Sequence, residues 1–357
     1  MAVLKGLILS GGKGTRLRPL THTSAKQLVP VANRPVLFYG IEAMAEAGID
    51  EVGIIVAPET GDEIRAAAGD GSAFGVSITY IEQASPDGLA HAVLTAEPFL
   101  GDTPFVMYLG DNLLRDGITE LAATFAAERP DALILLTPVP DPEHYGVAEL
   151  ADGRVSRLVE KPAEPQTDLA LVGVYMFTAR IFEAARAIAP SPRGELEITD
   201  AIQWLVDGGL RVDPHIVHGW WKDTGQVQDM LEANRLILDD IAERHDGELI
   251  DSRVEGRVCI EAGATLERAT VRGPAVIGAG ATIRDAYIGP YTAIAENVTI
   301  ENAEIEHSIV LAGSTVRDLD SRVEASLIGR DVTIGRGPAM PRAYRFVVGD
   351  SSEISIL

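Results

Sequence analysis

Short apolar runs of strand length alternate with segments of helical character over the first 240 residues of the chain. The predicted strands are residues 3–9, 52–57, 76–82, 105–109 and 133–138. The predicted helices are residues 36–47, 89–97 and 121–128, and a further helix is expected at 227–243. This alternation is typical of a Rossmann-like α/β fold, in which a doubly wound mixed sheet, mainly parallel, carries helices on both faces.

The hydrophobic period changes near residue 249. Aliphatic residues then recur every five or six positions, at Ile277, Ile283, Ile288, Ile294, Ile300, Ile305, Val310 and Val316, and again at Ile328 and Ile334. This hexapeptide pattern predicts a left-handed parallel β-helix of about four coils. Because 357 residues exceed one typical core, we expect two domains, an α/β domain over 1–245 and a β-helix with a C-terminal tail over 246–357.

Composition narrows the setting of the protein. With 53 acidic and 30 basic residues, the net charge of −23 disfavours nucleic acid as a partner. Cys259 is the sole cysteine, which excludes a disulfide scaffold and a zinc site built from cysteines. No apolar run has the length of a signal peptide or a membrane span. We therefore expect a cytoplasmic protein that binds neither nucleic acid nor membranes.

The N-terminal region is basic, in contrast to the acidic chain as a whole. The first 41 residues hold six Lys or Arg and no Asp or Glu, and they include the run Ser10-Gly11-Gly12-Lys13-Gly14-Thr15-Arg16-Leu17-Arg18, followed by Lys26. Glycines after a strand let backbone N–H groups approach phosphate oxygens, and the nearby cations add charge for a triphosphate. The spacing matches neither the P-loop nor the dinucleotide pattern. We interpret it as a phosphate-binding loop.

Two aspartates are candidates for a metal site. Asp111 follows the predicted strand 105–109, which would deliver it to the ligand-binding edge of the sheet. Asp223 lies in the run Trp220-Trp221-Lys222-Asp223-Thr224-Gly225, between aromatic residues and a turn. Mg²⁺ takes few protein oxygens and completes its shell with water and phosphate, so two carboxylates are sufficient.

Taken together, these runs and several others resemble the signature of sugar-phosphate nucleotidylyltransferases, most closely the members that transfer thymidylyl to glucose 1-phosphate and carry a hexapeptide tail. The further runs are Lys26-Gln27-Leu28-Val29-Pro30, Gln83-Ala84-Ser85-Pro86-Asp87-Gly88, Leu109-Gly110-Asp111-Asn112, Tyr145-Gly146-Val147, Glu160-Lys161-Pro162, Arg193-Gly194-Glu195-Leu196-Glu197 and Trp221-Lys222-Asp223. His91 and Lys222 depart from the common pattern of the family, which expects Gln and an aliphatic residue there.

The resemblance implies a role for each of these residues. Arg16 and Lys26 would be catalytic, neutralising the triphosphate, and Asp111 and Asp223 would hold Mg²⁺. The nucleotide dTTP would be bound by Leu9, Gly11, Gly12, Gly14, Thr15, Arg16, Gln83, Pro86, Gly88 and Asp111, with Gln83 reading the thymine edge. Glucose 1-phosphate would be bound by Asn112, Tyr145, Gly146, Glu160, Lys161, Val172 and Arg193. The implied products are dTDP-glucose, for deoxysugar biosynthesis, and pyrophosphate.

Three alternatives stay open at this point. The first is the same chemistry with UTP or another nucleotide or sugar, and the second is an added acyltransferase activity in the β-helix, with His307 as its base. The third is a non-catalytic protein of the same fold, which the joint presence of Arg16, Lys26, Asp111 and Asp223 disfavours. We expect the β-helix to be structural and to direct assembly into a homo-oligomer.

Overall fold

The computed structural model describes residues 3–12, 14–22, 24–336 and 354. Among the helices in these ranges, none combines the length and the apolarity needed to cross a bilayer.

The N-terminal two thirds alternate strands and helices. The strands are β1 (Lys5–Ser10), β2 (Pro30–Val31), β3 (Arg34–Pro35), β4 (Glu51–Val56), β5 (Ser77–Glu82), β6 (Phe105–Leu109), β7 (Asn112–Leu114), β8 (Ala132–Pro138), β9 (Gly146–Ala151), β10 (Arg154–Glu160), β11 (Leu169–Phe177), β12 (Val212–Ile216) and β13 (Trp221–Asp223). The helices are α1 (Val36–Glu46), α2 (Gly61–Ala68), α3 (Leu89–Leu100), α4 (Thr119–Glu128), α5 (Arg180–Ala187), α6 (Ile198–Asp207) and α7 (Val227–Leu238). Short 3₁₀ turns lie at Thr15–Leu17, Leu20–His22, Lys26–Leu28, Ser72–Phe74 and Pro142–His144.

Nine strands form one mixed sheet, which confirms the predicted fold class. The order β10-β9-β11-β6-β1-β4-β5 has parallel pairs around β1, whereas β11 runs antiparallel to β6, β8 and β9. β8 also pairs with β11 and in parallel with β12. The sheet is therefore parallel where β1 and β6 end, and this is the edge that carries the site.

Successive residues of the central strands face opposite apolar layers. Leu7 of β1 and Phe105 of β6 pack into one layer, with residues of α3, α5 and α6. Ile8 of β1 and Val106 of β6 pack into the other, with residues of α1, α2 and α4. Helices thus cover both faces, as the near-continuous apolar runs of these strands require.

The C-terminal part is a parallel β-helix, again as predicted. Its strands are β14 (Arg244–His245), β15 (Glu248–Ile250), β16 (Arg253–Glu255), β17 (Val258–Ile260), β18 (Thr265–Glu267), β19 (Thr270–Arg272), β20 (Ala275–Ile277), β21 (Thr282–Arg284), β22 (Tyr287–Ile288), β23 (Thr292–Ile294), β24 (Thr299–Glu301), β25 (Glu304–Glu306), β26 (Ile309–Val310), β27 (Thr315–Arg317), β28 (Val323–Glu324), β29 (Leu327–Ile328) and β30 (Thr333–Gly335). They form three sheets in which each strand pairs with the strand three places later in the chain.

Aliphatic side chains stack inside the coils. Val271, Ile288 and Ile305 are in register on neighbouring strands of one sheet and are fully buried. The described part holds five coils of three strands and a sixth of two, so the expectation of about four coils was too low. The hexapeptide pattern gives too few coils because the repeat begins before Ile277: Leu266 and Val271 are also buried inside the coils and pair with Ile283 and Ile288.

The start of the β-helix also differs from expectation. Helix α7 ends at Leu238 rather than at residue 243, and β14 at Arg244–His245 already pairs with β17. His307, the candidate acyl-transfer base, has a left-handed backbone and packs edge-on against the ring of Tyr291 at a centroid distance of 6.3 Å.

The contacts of the chain divide it into two compact units. The first comprises residues 1–13, 24–28 and 36–223, and it contains the mixed sheet. The second comprises residues 14–23, 29–35 and 224–357, so it holds α7 and two N-terminal segments together with the β-helix. The predicted C-terminal tail falls largely on residues 337–353 and 355–357, which lie outside the described ranges.

Candidate functional site

Several predicted motifs leave the sheet at one edge. Ser10 ends β1 and is followed by Gly11 and Gly12, Gly110 and Asp111 follow β6, and Gln83 follows β5. β1 pairs in parallel with both β4 and β6, and β4 pairs in parallel with β5. Because these strands run in the same direction, their carboxyl ends place the three motifs along a single rim, the usual ligand position in such sheets.

Lys26 and Asp111 form a close ion pair on this rim. The Lys26 ammonium donates to Oδ2 of Asp111, and the two side chains are 13% and 14% exposed. The Asn112 amide donates to Oδ1 of Asp111 at 3.1 Å. Burial alone raises the pKa of Asp111, but the Lys26 ammonium and the Asn112 amide outweigh it and hold that pKa below its ordinary value. Asp111 is therefore a carboxylate at neutral pH.

Strand pairing brings Asp223 to the same place. β13 runs antiparallel to β7, and Asp223 is the pairing partner of Asn112, the residue after Asp111. The amide oxygen of Asn112 accepts hydrogen bonds from the indole Nε1 of Trp221 at 2.5 Å and from the backbone N–H of Gly173 at 3.2 Å. These two bonds, with the bond from the Asn112 amide to Asp111, fix the orientation of the Asn112 side chain. The backbone of Asp223 thus lies one residue away from that of Asp111, although the two are more than 100 positions apart in the chain.

The two carboxylates fit a Mg²⁺ ion better than a closed metal centre. Within the described ranges, no group of three or more His, Cys, Asp or Glu side chains is arranged to hold a metal. Mg²⁺ does not need such a group, because it is usually bound by one or two carboxylates and by substrate phosphates. Asp111, held in its ionised form, and Asp223 would be the carboxylate donors of such a site.

Gln83 lies at the rim with its amide held in place. Its Nε2 lies 2.9 Å from Nδ1 of His91 and donates to the carbonyl of Gly88 at 3.3 Å. A β-carbon on Gly11 would lie 3.3 Å from Oε1 of Gln83, so Gly11 leaves this oxygen accessible to a small group. His91, which departs from the family pattern, therefore helps to orient the side-chain amide of Gln83.

Gly88 cannot be replaced without moving the loop that carries it. Its φ is 109°, and a β-carbon there would lie 2.4 Å from the carbonyl oxygen of Leu196. Leu196 donates its N–H to the carbonyl of Asp87 at 2.7 Å and accepts from Ala90 at 3.0 Å. The loop around Gly88 is thereby bound to the segment before α6. Pro86 lies on the exposed side of the same loop.

Glu160 is the centre of a polar cluster. The Thr199 hydroxyl donates to Oε2 of Glu160 at 2.7 Å, and Arg193 Nη2 donates to Oε1 at 2.9 Å. A β-carbon on Gly146 would lie 2.8 Å from Oγ1 of Thr199 and 3.1 Å from Oε2 of Glu160, so the absence of a side chain at Gly146 keeps the carboxylate open.

Arg193 and Lys161, the two predicted cations beside Glu160, differ in how many carboxylates they pair with. Arg193 also donates to Glu197 at 2.8 Å and lies 3.8 Å from Glu195, so three carboxylates share its charge. Lys161 has a left-handed backbone with φ of 43°, and its ammonium lies 3.8 Å from Glu160. Lys161 is the better placed of the two to bind an added anion.

The remaining predicted residues are placed less directly. The ring of Tyr145 packs edge-on against Trp221 at 5.5 Å, and its carbonyl accepts from the N–H of Lys161 at 3.0 Å. The side chains of Leu9 and Val172 are buried in the apolar layers, so a ligand could contact only their backbones. Gly14, Thr15 and Arg16 belong to the second compact unit. Lys13 lies outside the described residues.

Four polar residues of the site were missed from the sequence. Ser10 and Gln27 are buried, and among the described residues neither Oγ of Ser10 nor Oε1 of Gln27 has a hydrogen-bond partner. Thr199 and Glu197 are buried around Glu160 and Arg193. Ser10 precedes Gly11 and Gln27 follows Lys26, and this adjacency to predicted site residues is the one feature of the sequence that points to them.

Comparison with known proteins places this geometry in context. The family model described as nucleotidyl transferase matches residues 5–240. A glucose-1-phosphate thymidylyltransferase of Streptomyces griseus is 54% identical over 356 residues, which cover 99% of both chains. The low-salt glycan biosynthesis nucleotidyltransferase Agl11 of Haloferax volcanii is 47% identical over 358 residues, covering 99% of this chain and 100% of that one.

A solved structure matches about two thirds of the chain. It is the 2.76 Å crystal structure of a presumed glucose-1-phosphate thymidylyltransferase from Bacillus anthracis in complex with a sucrose. It is 35% identical to this chain, with a TM-score of 0.63, and the match covers 68% of this chain and 98% of the other. The curated relatives above, by contrast, match over the β-helix as well.

Proposed function

Because the chain belongs to the nucleotidyl transferase family and is 54% identical to a glucose-1-phosphate thymidylyltransferase over nearly its whole length, we propose that it joins dTTP and α-D-glucose 1-phosphate to give dTDP-glucose and pyrophosphate, with Mg²⁺ as cofactor. The observation that carries this proposal is the ion pair of Lys26 with Asp111 on the rim, with Asp223 paired in the neighbouring strand to Asn112, the residue after Asp111. An ammonium beside two carboxylates suits a reaction that moves charge between phosphate groups.

The reaction needs charge and alignment rather than a base. A phosphate oxygen of glucose 1-phosphate attacks the α-phosphorus of dTTP, and the bond to the bridging oxygen breaks with pyrophosphate as the leaving group. The nucleophile is already ionised at neutral pH, so no proton has to be removed. Lys26 is held by Asp111 close to the rim, and in our proposal it stabilises the charge that develops on the α-phosphate. Arg16 neutralises the triphosphate further.

Asp111 and Asp223 are the groups that would hold Mg²⁺. When bound, Mg²⁺ neutralises phosphate charge and orients the triphosphate. The salt bridge to Lys26 keeps Asp111 ionised and thus ready for the cation.

The sugar and its phosphate are assigned to the cluster around Glu160. Its carboxylate, positioned by Thr199 and Arg193, can accept hydrogen bonds from glucose hydroxyls, and Gly146 leaves the space for them. Lys161 would bind the sugar phosphate, because Arg193 is already neutralised by carboxylates. Asn112 and Tyr145 complete this subsite.

Base choice is assigned to Gln83. With Nε2 directed to Gly88 and His91, the amide presents its carbonyl oxygen as the acceptor for a ring N–H. Thymine and uracil carry such an N–H at N3, whereas cytosine has an acceptor there. We therefore expect dTTP first and UTP second, with the methyl group adding about 1 kcal/mol of preference.

A nucleotide panel tests the proposal. Initial rates of pyrophosphate release would be measured with glucose 1-phosphate, Mg²⁺ and each of dTTP, UTP, CTP, GTP and ATP. The expected order has dTTP ahead of UTP by roughly fivefold, which is the rate ratio for about 1 kcal/mol, and the others far behind. Fast turnover of CTP or ATP, whose bases have an acceptor at the corresponding ring nitrogen, would contradict the assignment of Gln83.

We also propose that the protein is a cytoplasmic homo-oligomer. The first coil of the β-helix presents the edge strands β14, β15 and β16, and on it Leu249 and Ile250 are 41% and 39% exposed. Unpaired strand edges and exposed aliphatic residues are typical of surfaces that another chain covers. Light scattering of the purified protein would give the mass, and a strictly monomeric mass would refute this.

A further inference from the structure

We infer that the β-helix is a positioning element for the phosphate-binding loop and for the hairpin that follows Lys26. This goes beyond an assembly role and rests on the function proposed above. The second compact unit contains residues 14–23, which carry Arg16, and residues 29–35, which form the β2–β3 hairpin. In the chain, the turn Lys26–Leu28 lies between these two segments. Both segments are attached to the β-helix unit by specific contacts.

The hairpin turn is bonded through both of its central residues. Ala32 and Asn33 have φ of 48° and 64°, and Ala rarely adopts the left-handed region without support from its surroundings. The N–H of Ala32 donates to Oδ1 of Asn234 in α7 at 2.9 Å. Nδ2 of Asn33 donates to the carbonyl of Ile294 in β23 at 2.6 Å. The strained turn is thus held from two sides.

Asn234 connects this turn to a corner of the β-helix. It is fully buried, and its Nδ2 donates to the carbonyl of Tyr291 at 2.9 Å while its Oδ1 accepts from Ala32. Tyr291 itself has a left-handed backbone, and the guanidinium of Arg235 lies 6.0 Å from its ring centroid. A buried amide that is satisfied at both ends fixes the distance between the groups it joins.

Leu20, just after the phosphate-binding loop, packs against a later coil of the β-helix. Gly329 follows β29, and a β-carbon there would lie 3.3 Å from Cδ2 of Leu20, so the glycine admits the leucine side chain. The Thr21 hydroxyl donates to the carbonyl of Gly14 at 2.6 Å and closes the loop that contains Arg16. The loop is therefore closed on itself and supported from outside.

These contacts assign Asn33 and Leu20 as positioning residues. They touch no substrate in our proposal, but they hold to the β-helix unit the segments that precede and follow Lys26 in the chain. Loosening either segment should reduce the chemical rate more than substrate affinity, because rates respond steeply to small displacements of reacting groups. The expected loss in kcat is about tenfold or more, since a 1 Å misplacement can cost up to about a hundredfold.

The test removes one amide at a time. Asn33→Gly keeps the backbone free to remain left-handed but deletes the bond to Ile294. The matched control is Asn302→Gly, since Asn302 also has a left-handed backbone and its amide bonds to Asp318 at 3.3 Å. kcat and KM for dTTP would be measured with the melting temperature of each variant. We expect a lower kcat at nearly constant KM for Asn33→Gly and wild-type kinetics for the control.

The outcomes separate this inference from the function proposed above. Equal kcat for the two glycine variants would overturn the inference, whereas a wild-type protein inactive with dTTP would refute the proposed function instead. If Asn33→Gly does not fold, Gly329→Val decides, because it displaces Leu20 from the other side. A folded Gly329→Val protein with wild-type kcat would then overturn the inference.

Discussion

Asp223 is the cross-strand partner of Asn112, and Asn112 directly follows Asp111 in the chain. Neighbouring antiparallel strands bring paired Cα atoms to about 4.5–5.5 Å, so this register places the backbone of Asp223 beside that of Asn112, one residue from Asp111. Because backbone pairing produces this proximity, conservative changes at the aspartates should leave it intact.

We predict that Asp111→Asn and Asp223→Asn each abolish most turnover without unfolding the protein. Each change removes one negative charge at nearly constant shape, which should weaken Mg²⁺ binding. Pyrophosphate release over a range of Mg²⁺ concentrations, together with far-ultraviolet circular dichroism, measures both effects. Asp152→Asn, at an exposed turn with φ of 51°, is the control and should behave as wild type. Wild-type rates for the first two variants at limiting Mg²⁺ would refute the metal assignment.

Lys26→Ala should lower kcat by roughly two to four orders of magnitude, because a fixed charge near the developing negative charge is lost. The effect on KM for dTTP should be much smaller. Lys26→Arg keeps the charge but brings a planar group to a nearly buried position, and it should recover only part of the rate. Steady-state kinetics on both variants provides the measurement. An unchanged kcat in Lys26→Ala would move the catalytic role to Arg16 or Lys161.

Gly146→Ala should raise KM for glucose 1-phosphate while leaving KM for dTTP nearly unchanged. The added methyl group would lie 2.8 Å from the Thr199 hydroxyl and 3.1 Å from Glu160, so it would displace the carboxylate that we assign to the sugar. Gly40→Ala is a suitable comparison, because its methyl group would meet the ring of Tyr108 at an ordinary 3.4 Å. Equal changes in the KM values of both substrates would argue against a sugar subsite at Glu160.

The ion pair between Lys26 and Asp111 should stabilise the fold at neutral pH and lose that effect only in strong acid. The folded protein holds the pKa of Asp111 below the ordinary 3.8, so the stabilisation is present above that value and declines as pH falls through the lowered pKa. Asp111→Asn should therefore cost about 1–3 kcal/mol equally at pH 5 and pH 7, and less near pH 3. Chemical unfolding at the three pH values gives the comparison. A cost that already shrinks between pH 7 and pH 5 would contradict this account.

Much of the fold was predictable because local patterns determine it. The apolar runs of β1, β4, β5, β6 and β8 and the regular isoleucines of the β-helix follow directly from burial on both sides or at fixed intervals. The antiparallel strands β9 and β10 were not predicted; β10 exposes Arg154, Ser156 and Arg157 and therefore resembles a loop in the sequence, and β9 is a short strand with a half-buried glutamate. The end of α7 was placed too late because Asp239 to Glu243 remain compatible with a helix.

The site was predictable only in part. Asp111 and Asp223 each stood beside a recognisable turn, but the register that relates them is a property of the paired strands. The bonds from Thr199 and Arg193 to Glu160 join residues more than 30 positions apart, and the bond from Asn33 to Ile294 spans 261 positions. Contacts of this kind leave no periodic trace in the sequence. They became visible only with the folded chain.

The number of coils between two contacts of the β-helix sets the distance between the N-terminal segments attached there. Asn33 donates a hydrogen bond to Ile294 in the fourth coil. Leu20 packs beside Gly329 in the sixth coil. Since adjacent parallel strands lie about 4.8 Å apart, two coils separate these attachment points by roughly 10 Å along the axis of the β-helix. Duplication or loss of a single coil would preserve the pairing pattern and the buried stacks, yet it would shift one attachment point against the other by a full strand spacing. Variation in repeat number, which is usually tolerated in solenoids, should be restricted in this stretch.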